Sequence, residues 1–332
     1  MSKENFQYWK ELVGLEDTDF PQLIPLGEDE IEQAAIVGTR LMEIKNAVAA
    51  NNLLDIQVQP GWGATTLYRY LKREFKKDSL TLLVGFDFEA QPLDGSLTEE
   101  QFVFQTKWRM ASDICKMFRD KPMQPLYMYE VLGFEDDGAS PWQGHLRRQM
   151  RRLESCENDP QAFYAAFPFF ARRSIDVCVN YFLANFQIRS VFLYLFPRKV
   201  EEDPLFELVG MLKNIYDGKD IQPAAMRQLY ICTPKLFRRL QDTYARPYRD
   251  ILYERYSAAE MFKMLVATYH NDNAAFQSIS DIFDEAFISD AYSTGKPMNK
   301  IMESVAKRIE DSLNGPTAQI PYKLVFSKVE EG

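Results

Sequence analysis

Apolar positions along the chain alternate between two periods. Ile31, Ala34, Ala35, Leu41, Ile44 and Val48 recur at helical spacing, and the run LLDIQV from Leu53 to Val58 then reads as a strand. Directly after it comes QPGWGATT, and Leu67, Tyr70, Leu71 and Phe75 mark one face of a further helix. A second apolar strand from Leu80 to Phe86 leads through the turn-rich QPLDGS to Thr98-Glu-Glu-Gln101, a capping-box pattern that opens a helix reaching Phe118.

The segment from Pro125 to Gln161 interrupts this order. It contains a candidate strand at LYMYEVL and an acidic turn at FEDDGASP, and reads as an insertion. An aromatic helix around Ala171 to Phe186 then precedes SVFLYLFP, whose unbroken apolar character fits a strand buried on both faces. A helix from Leu205 to Tyr216, the strand RQLYICT and the helical LFRRLQDTY follow. Strands alternating with helices in this way predict an α/β fold with a mainly parallel sheet flanked by helices.

From about Tyr256 the pattern is purely helical. Ser257 to Glu260 form a capping box, and three stripes follow: Met261, Phe262, Leu265 and Val266; Ile279, Ile282, Phe283 and Phe287; and Met298, Ile301, Met302, Val305, Ile309 and Leu313. The expected organisation is an N-terminal extension over 1–30, an α/β core over 31–255 with an insertion at about 120–160, and a helical lid with a C-terminal strand or tail over 256–332.

Composition narrows the classes. The 332 residues are 46% hydrophobic, 14% aromatic and 26% charged, as in an ordinary globular protein. The N-terminal MSKENFQYWK has no signal-peptide core and no later run reaches the length of a membrane span, so a cytoplasmic protein without a membrane partner is expected. Cys115, Cys156, Cys178 and Cys232 form no CxxC pair and only His145 and His270 add imidazole, so free, mostly buried thiols and no metal site are expected. A net charge of −9 disfavours nucleic acid as a general partner, because the whole-molecule field repels phosphate.

The loop after the first strand carries the main candidate chemistry. A phosphate-binding loop of the form GxxxxGK[ST] uses glycines to turn backbone N–H groups inward, a lysine on the β and γ phosphates, and a hydroxyl on magnesium. In that register Val58 replaces the first glycine and Ala64 the lysine, while Gly61, Gly63 and Thr65 remain. The candidate degenerate nucleotide loop is therefore Pro60, Gly61, Trp62, Gly63, Ala64, Thr65 and Thr66. An ordinary strand-to-helix turn stays open as the plain alternative, since short glycine motifs recur by chance.

With PGWGATT, the element order and the helical lid with its GKP turn, the stretch from Ile31 to Leu313 resembles the AAA+ and STAND branch of P-loop ATPases, and within it the initiator-like group. The resemblance implies a magnesium-holding acid at the end of the third strand, where VFLYLFPRK has Phe196 and Pro197, with Glu201 and Glu202 arriving too late. It implies a lid arginine after Gly-x-Pro, where Gly295, Lys296 and Pro297 are followed by Met298. A neutral sensor position falls at Thr233. Read through the resemblance, the chain is a degenerate member with no catalytic residue and no bound ATP, acting as a structural or regulatory subunit beside an active ATPase or related protein. A slow, unconventional ATPase that recruits Lys72 or Lys296 is a further alternative.

Two basic groups remain. Arg147, Arg148, Arg151 and Arg152 fall on one side of a helix and would suit phosphate backbone or an acidic partner, or form a solvated face paired with carboxylates; a nucleic-acid-binding regulator is the runner-up function. Arg246, Arg249 and Arg255, between the last core strand and the lid, are candidates for an arginine presented to a neighbouring subunit, against ordinary ion pairs with Asp242, Asp250 and Glu254. The aromatic cluster Phe163, Tyr164, Phe167, Phe169 and Phe170 reads as core. No Ser, His and acid frame and no HExxH motif occurs.

Overall fold

A computed structural model describes residues 53–60, 63–90, 97–119, 127–133, 142–197, 202–216, 221–222, 224–243 and 249–253, together with part of 44–50. The chain divides into two compact units, one of Met1–Ile44, Val58–Tyr70 and Leu252–Gly332, the other of Lys45–Gln57 and Leu71–Ile251. The expected lid, with Lys296 and Met298, and the N-terminal extension lie outside the described residues, as do Gly61, Trp62, Arg246 and Arg255.

In chain order the elements are β1 (Leu53–Val58), α1 (Ala64–Lys76), β2 (Thr81–Asp87), α2 (Glu99–Phe118), α3 (Tyr127–Leu132), α4 (Trp142–Ser155), α5 (Pro160–Ala166), α6 (Pro168–Ala171), α7 (Ile175–Phe186), β3 (Arg189–Leu195), α8 (Glu202–Tyr216), β4 (Met226–Cys232), α9 (Pro234–Thr243) and β5 (Arg249–Tyr253). The strands form one sheet in the order β2-β3-β4-β1-β5. The pairs β2/β3, β3/β4 and β1/β4 are all parallel. The α/β fold with a mainly parallel sheet flanked by helices is thus as expected.

This order has a functional consequence. From β1 the chain crosses outward to the β2 edge, whereas from β4 it crosses the other way to β5. Connections from the neighbouring strands β1 and β4 thus run in opposite directions along the sheet, which makes β1 and β4 its topological switch point, where α/β sheets open their binding crevice. There Gln57 is in register with Cys232.

Local chemistry explains most boundaries. Thr98 caps α2 as its sequence predicts: its hydroxyl accepts the Gln101 N–H at 3.2 Å, and the Gln101 side chain accepts the Thr98 N–H at 3.0 Å. Asp159 caps α5 through the Ala162 N–H, with Pro160 at the first helical position. β3 is buried along its length beyond Arg189, as its continuous apolar run implies.

Three expectations need correction. LYMYEVL is not a strand: Tyr127–Leu132 is the helix α3. Val131 and Leu132 enter the core side by side, and Glu130 is held outside by Arg173 at 2.7 Å and the Tyr181 hydroxyl at 3.0 Å, so tertiary contacts override the β preference of Tyr and Val. Gly133 ends the helix at φ +66, with Ala166's carbonyl oxygen 2.9 Å from where a Cβ would stand. The helix expected from about Ala171 begins only at Ile175, and Arg172 and Arg173 lie in the link after α6. The strand at Met226–Cys232 is not the last of the core either, because Arg249 opens β5.

The core is unusually aromatic. Phe163, Phe167, Phe169 and Phe170 are buried and Tyr164 is half-buried, as expected for packing. Phe163 lies 5.3 Å from Phe167 and 5.9 Å from Phe170, ring centre to ring centre. All four cysteines are free and buried.

Candidate nucleotide-site remnant and basic face

The loop after β1 keeps its bend at Gly63, whose φ of +92 lies in the left-handed region. A Cβ there would meet only Thr66 Cβ at an ordinary 3.9 Å, so the backbone, and not crowding, requires glycine. Gly63's carbonyl accepts the Leu67 N–H at 2.8 Å and so begins α1. Leu67, Tyr68 and Tyr70 bury one side of this helix, while Ala64, Thr65 and Thr66 are half-buried. The first turn of α1 contains no charged side chain. Its N-terminal amides keep their partial positive charge, and that turn itself holds no lysine to supplement it.

Lys72 belongs to another neighbourhood. It lies two turns into α1 and, with Lys76 and Lys116, favours the charged form of the Asp113 carboxylate. Asp113 accepts the Leu83 N–H at 2.8 Å, and burial, the dominant influence, raises its pKa above the ordinary value.

Around the end of β3 the structure places rings. Phe86, Tyr194 and Tyr230 are in register across β2, β3 and β4, stacked at 5.6 and 5.2 Å. One residue past each strand the pattern continues: Phe88 N–H donates to Leu195 O and Phe196 N–H to Ile231 O. The Phe196 ring lies 5.9 Å from Phe88 and 5.8 Å from Tyr230 and is only 2% exposed. Neither Phe196 nor Pro197 carries a group that ligates a metal. Glu202 opens α8.

Thr233, the candidate neutral sensor, is engaged locally. Its hydroxyl accepts the Leu236 N–H at 3.3 Å and its carbonyl the Phe237 N–H at 2.9 Å, which starts α9. Sequence patterning did not single out Asp55, a buried carboxylate in register with Tyr230 whose Oδ2 accepts no hydrogen bond among the described residues. Its signal in the sequence is a lone acid inside the apolar run LLDIQV. Beside it, burial pushes the Cys232 thiol well above its usual pKa, and the Asp55 charge adds to the effect.

The basic group on α4 is a single solvent-facing surface. Arg147, Arg148, Arg151 and Arg152 are all exposed, while His145, Leu146, Gln149 and Leu153 are buried on the opposite side. Trp108 Nε1 donates to Leu153 O at 2.9 Å and Gln149 Nε2 to Gly133 O at 3.3 Å, which anchors the helix. The Arg148 guanidinium donates to His145 Nδ1 at 2.9 Å. Among the described residues no carboxylate forms an ion pair with Arg147, Arg151 or Arg152. Of the second basic group, Arg249 opens β5, and Arg246 and Arg255 lie outside the described residues.

These observations define an α/β protein with a parallel sheet, a switch point beside β1 and a glycine-bent loop leading from that strand into a helix. No family model matches the chain, and no curated protein matches it. Among solved structures it is similar to the Aeropyrum pernix ORC2 protein in its ADP form, with a TM-score of 0.35 and 10% identity over 92% of this chain and 69% of that one. At that score the fold assignment rests on the strand order and register above. Among the described residues no helix is long and apolar enough to cross a membrane.

Proposed function

We propose that this chain is a non-catalytic, AAA+-like subunit that serves a hetero-oligomeric protein assembly as a structural or regulatory element, with an active ATPase or related protein as its partner. The observation that carries the reading is Phe196. Where the resemblance calls for a metal-holding acid, the chain puts a ring into an aromatic row with Phe88 and Tyr230. The bent loop at Gly63 supports retained architecture, and Ala64 with an uncharged first helical turn supports lost phosphate chemistry. Charge-assisted contacts of the missing kind are worth about 1.5–3 kcal/mol each, so losing several removes most of the affinity for a triphosphate.

The test is calorimetric titration of the full chain with ATP and magnesium, alongside a hydrolysis assay and native mass measurement of the complex purified from its source. The reading expects no heat of binding, no turnover and a hetero-oligomeric mass. Micromolar affinity with magnesium-dependent turnover would sink it.

A further inference from the structure

The guanidinium face of α4 carries a repulsive cost that no ion pair to Arg147, Arg151 or Arg152 among the described residues offsets. Arg147 and Arg151, and likewise Arg148 and Arg152, stand one helical turn apart, and Arg148 and Arg151 are also neighbours at a spacing of three. Like charges at these spacings, with Cβ atoms about 6 Å apart, destabilise a helix. The first turn of α4 holds no acid, and Glu154 is the helix's one carboxylate. No ion pair among the described residues neutralises Arg147, Arg151 or Arg152. The face is nonetheless rigidly presented, because Leu146, Leu153, Gln149 and Trp108 fix the helix from behind and His145 orients Arg148.

We propose that this face docks a short acidic segment of a partner protein, with carboxylates spaced to meet two columns of guanidinium groups. Charge complementarity fixes the sign of the occupant, and the remainder of the molecule fixes its size. The chain as a whole carries −9. A long polyanion would extend over many screening lengths of about 8 Å and meet the acidic remainder, whereas a short segment of a few carboxylates meets the patch alone. Arginine's planar fork then pairs each carboxylate with two parallel N–H donors. The inference rests on the subunit reading only in taking the partner to be a protein.

The experiment uses the full chain, a fluorescent octaglutamate peptide and a mixed-sequence DNA duplex, each titrated by anisotropy across a salt series. The variant Arg147→Gln/Arg151→Gln keeps the His145–Arg148 contact and changes only exposed positions, and far-UV circular dichroism checks its fold. The expected result is octaglutamate binding that weakens with salt and falls about tenfold in the variant, since two exposed charge pairs are removed. Duplex binding should be weaker than octaglutamate binding. No salt-sensitive octaglutamate binding, binding unchanged by the variant, or tighter duplex binding that the variant abolishes each overturns the proposal, the last in favour of nucleic acid. None of these readouts involves nucleotide, so ATP turnover could defeat the subunit reading while this result stands, and the reverse.

Discussion

Replacing Phe196 tests the central structural argument directly. The side chain is 2% exposed and sits against Phe88 and Tyr230, with ring centres 5.9 and 5.8 Å away. An aromatic side chain buries about 150–250 Å², and at about 25 cal/mol per Å² its removal from water is worth about 4–6 kcal/mol. Part of the cavity in Phe196→Ala collapses, so the expected loss is about 3–5 kcal/mol. Phe196→Asp should lose more, because an ionised carboxylate would stand among rings without a hydrogen-bond partner. Chemical denaturation of wild type and both variants, followed by near-UV circular dichroism and intrinsic fluorescence together, measures this. If Phe196→Ala costs under about 1 kcal/mol, the ring is not a core element and the packing argument fails. If Phe196→Asp matches wild-type stability and gains magnesium-dependent ATP binding, the strand end is a metal position after all, and the reading of lost chemistry through packing is refuted.

Other expectations follow from single residues. Gly63→Ala should lower stability by about 1–2 kcal/mol through its left-handed backbone alone, checked as a shift in thermal midpoint, while an unchanged midpoint would mean the loop bends otherwise. Burial pushes the Cys115 and Cys178 thiols up to about 12, so both should resist iodoacetamide at pH 8 in the native state and react once guanidinium unfolds the chain; mass spectrometry of native samples showing either labelled would contradict their burial. Burial also lowers the pKa of Lys107, whose Nζ donates to Phe170 O at 2.8 Å and lies 5.3 Å from the Tyr164 ring centre. The native state then holds fewer protons than the unfolded chain between the lowered value and the usual 10.5, so this residue's contribution to stability should rise with pH through that window. The difference between wild type and Lys107→Met, measured by denaturation at several alkaline pH values, should show that slope, and a difference independent of pH would refute it.

Much of the molecule was legible in the chain itself. The strands Leu53–Val58, Thr81–Asp87 and Arg189–Leu195 follow from apolar runs, and the start of α2 from Thr98 and Gln101, because these signals are local: burial periodicity and a cap that closes within three residues. The exposure of the four α4 arginines follows in the same way from helical spacing. Tertiary structure decided what local patterns leave ambiguous. Tyr127–Leu132 could satisfy its apolar residues as strand or helix, and in the fold it is a helix that buries Val131 and Leu132 and leaves Glu130 outside with Arg173 and Tyr181. The short β5 carried too little pattern to stand out beside Arg246 and Arg249.

The nucleotide-site reading divides along the same line. Which residues stand at the loop and strand ends is a property of the sequence: Gly63, Ala64, Phe196 and Pro197 are there to be read. That Phe196 belongs to a row with Phe88 and Tyr230 was decided only by register between strands far apart in the chain, and that the Lys72 charge reaches Asp113 only by the packing of two helices, whereas the Thr233 cap on α9 closes locally. Parallel pairing brings such residues side by side through long crossovers, and no pattern within a short window records which strand will be the neighbour.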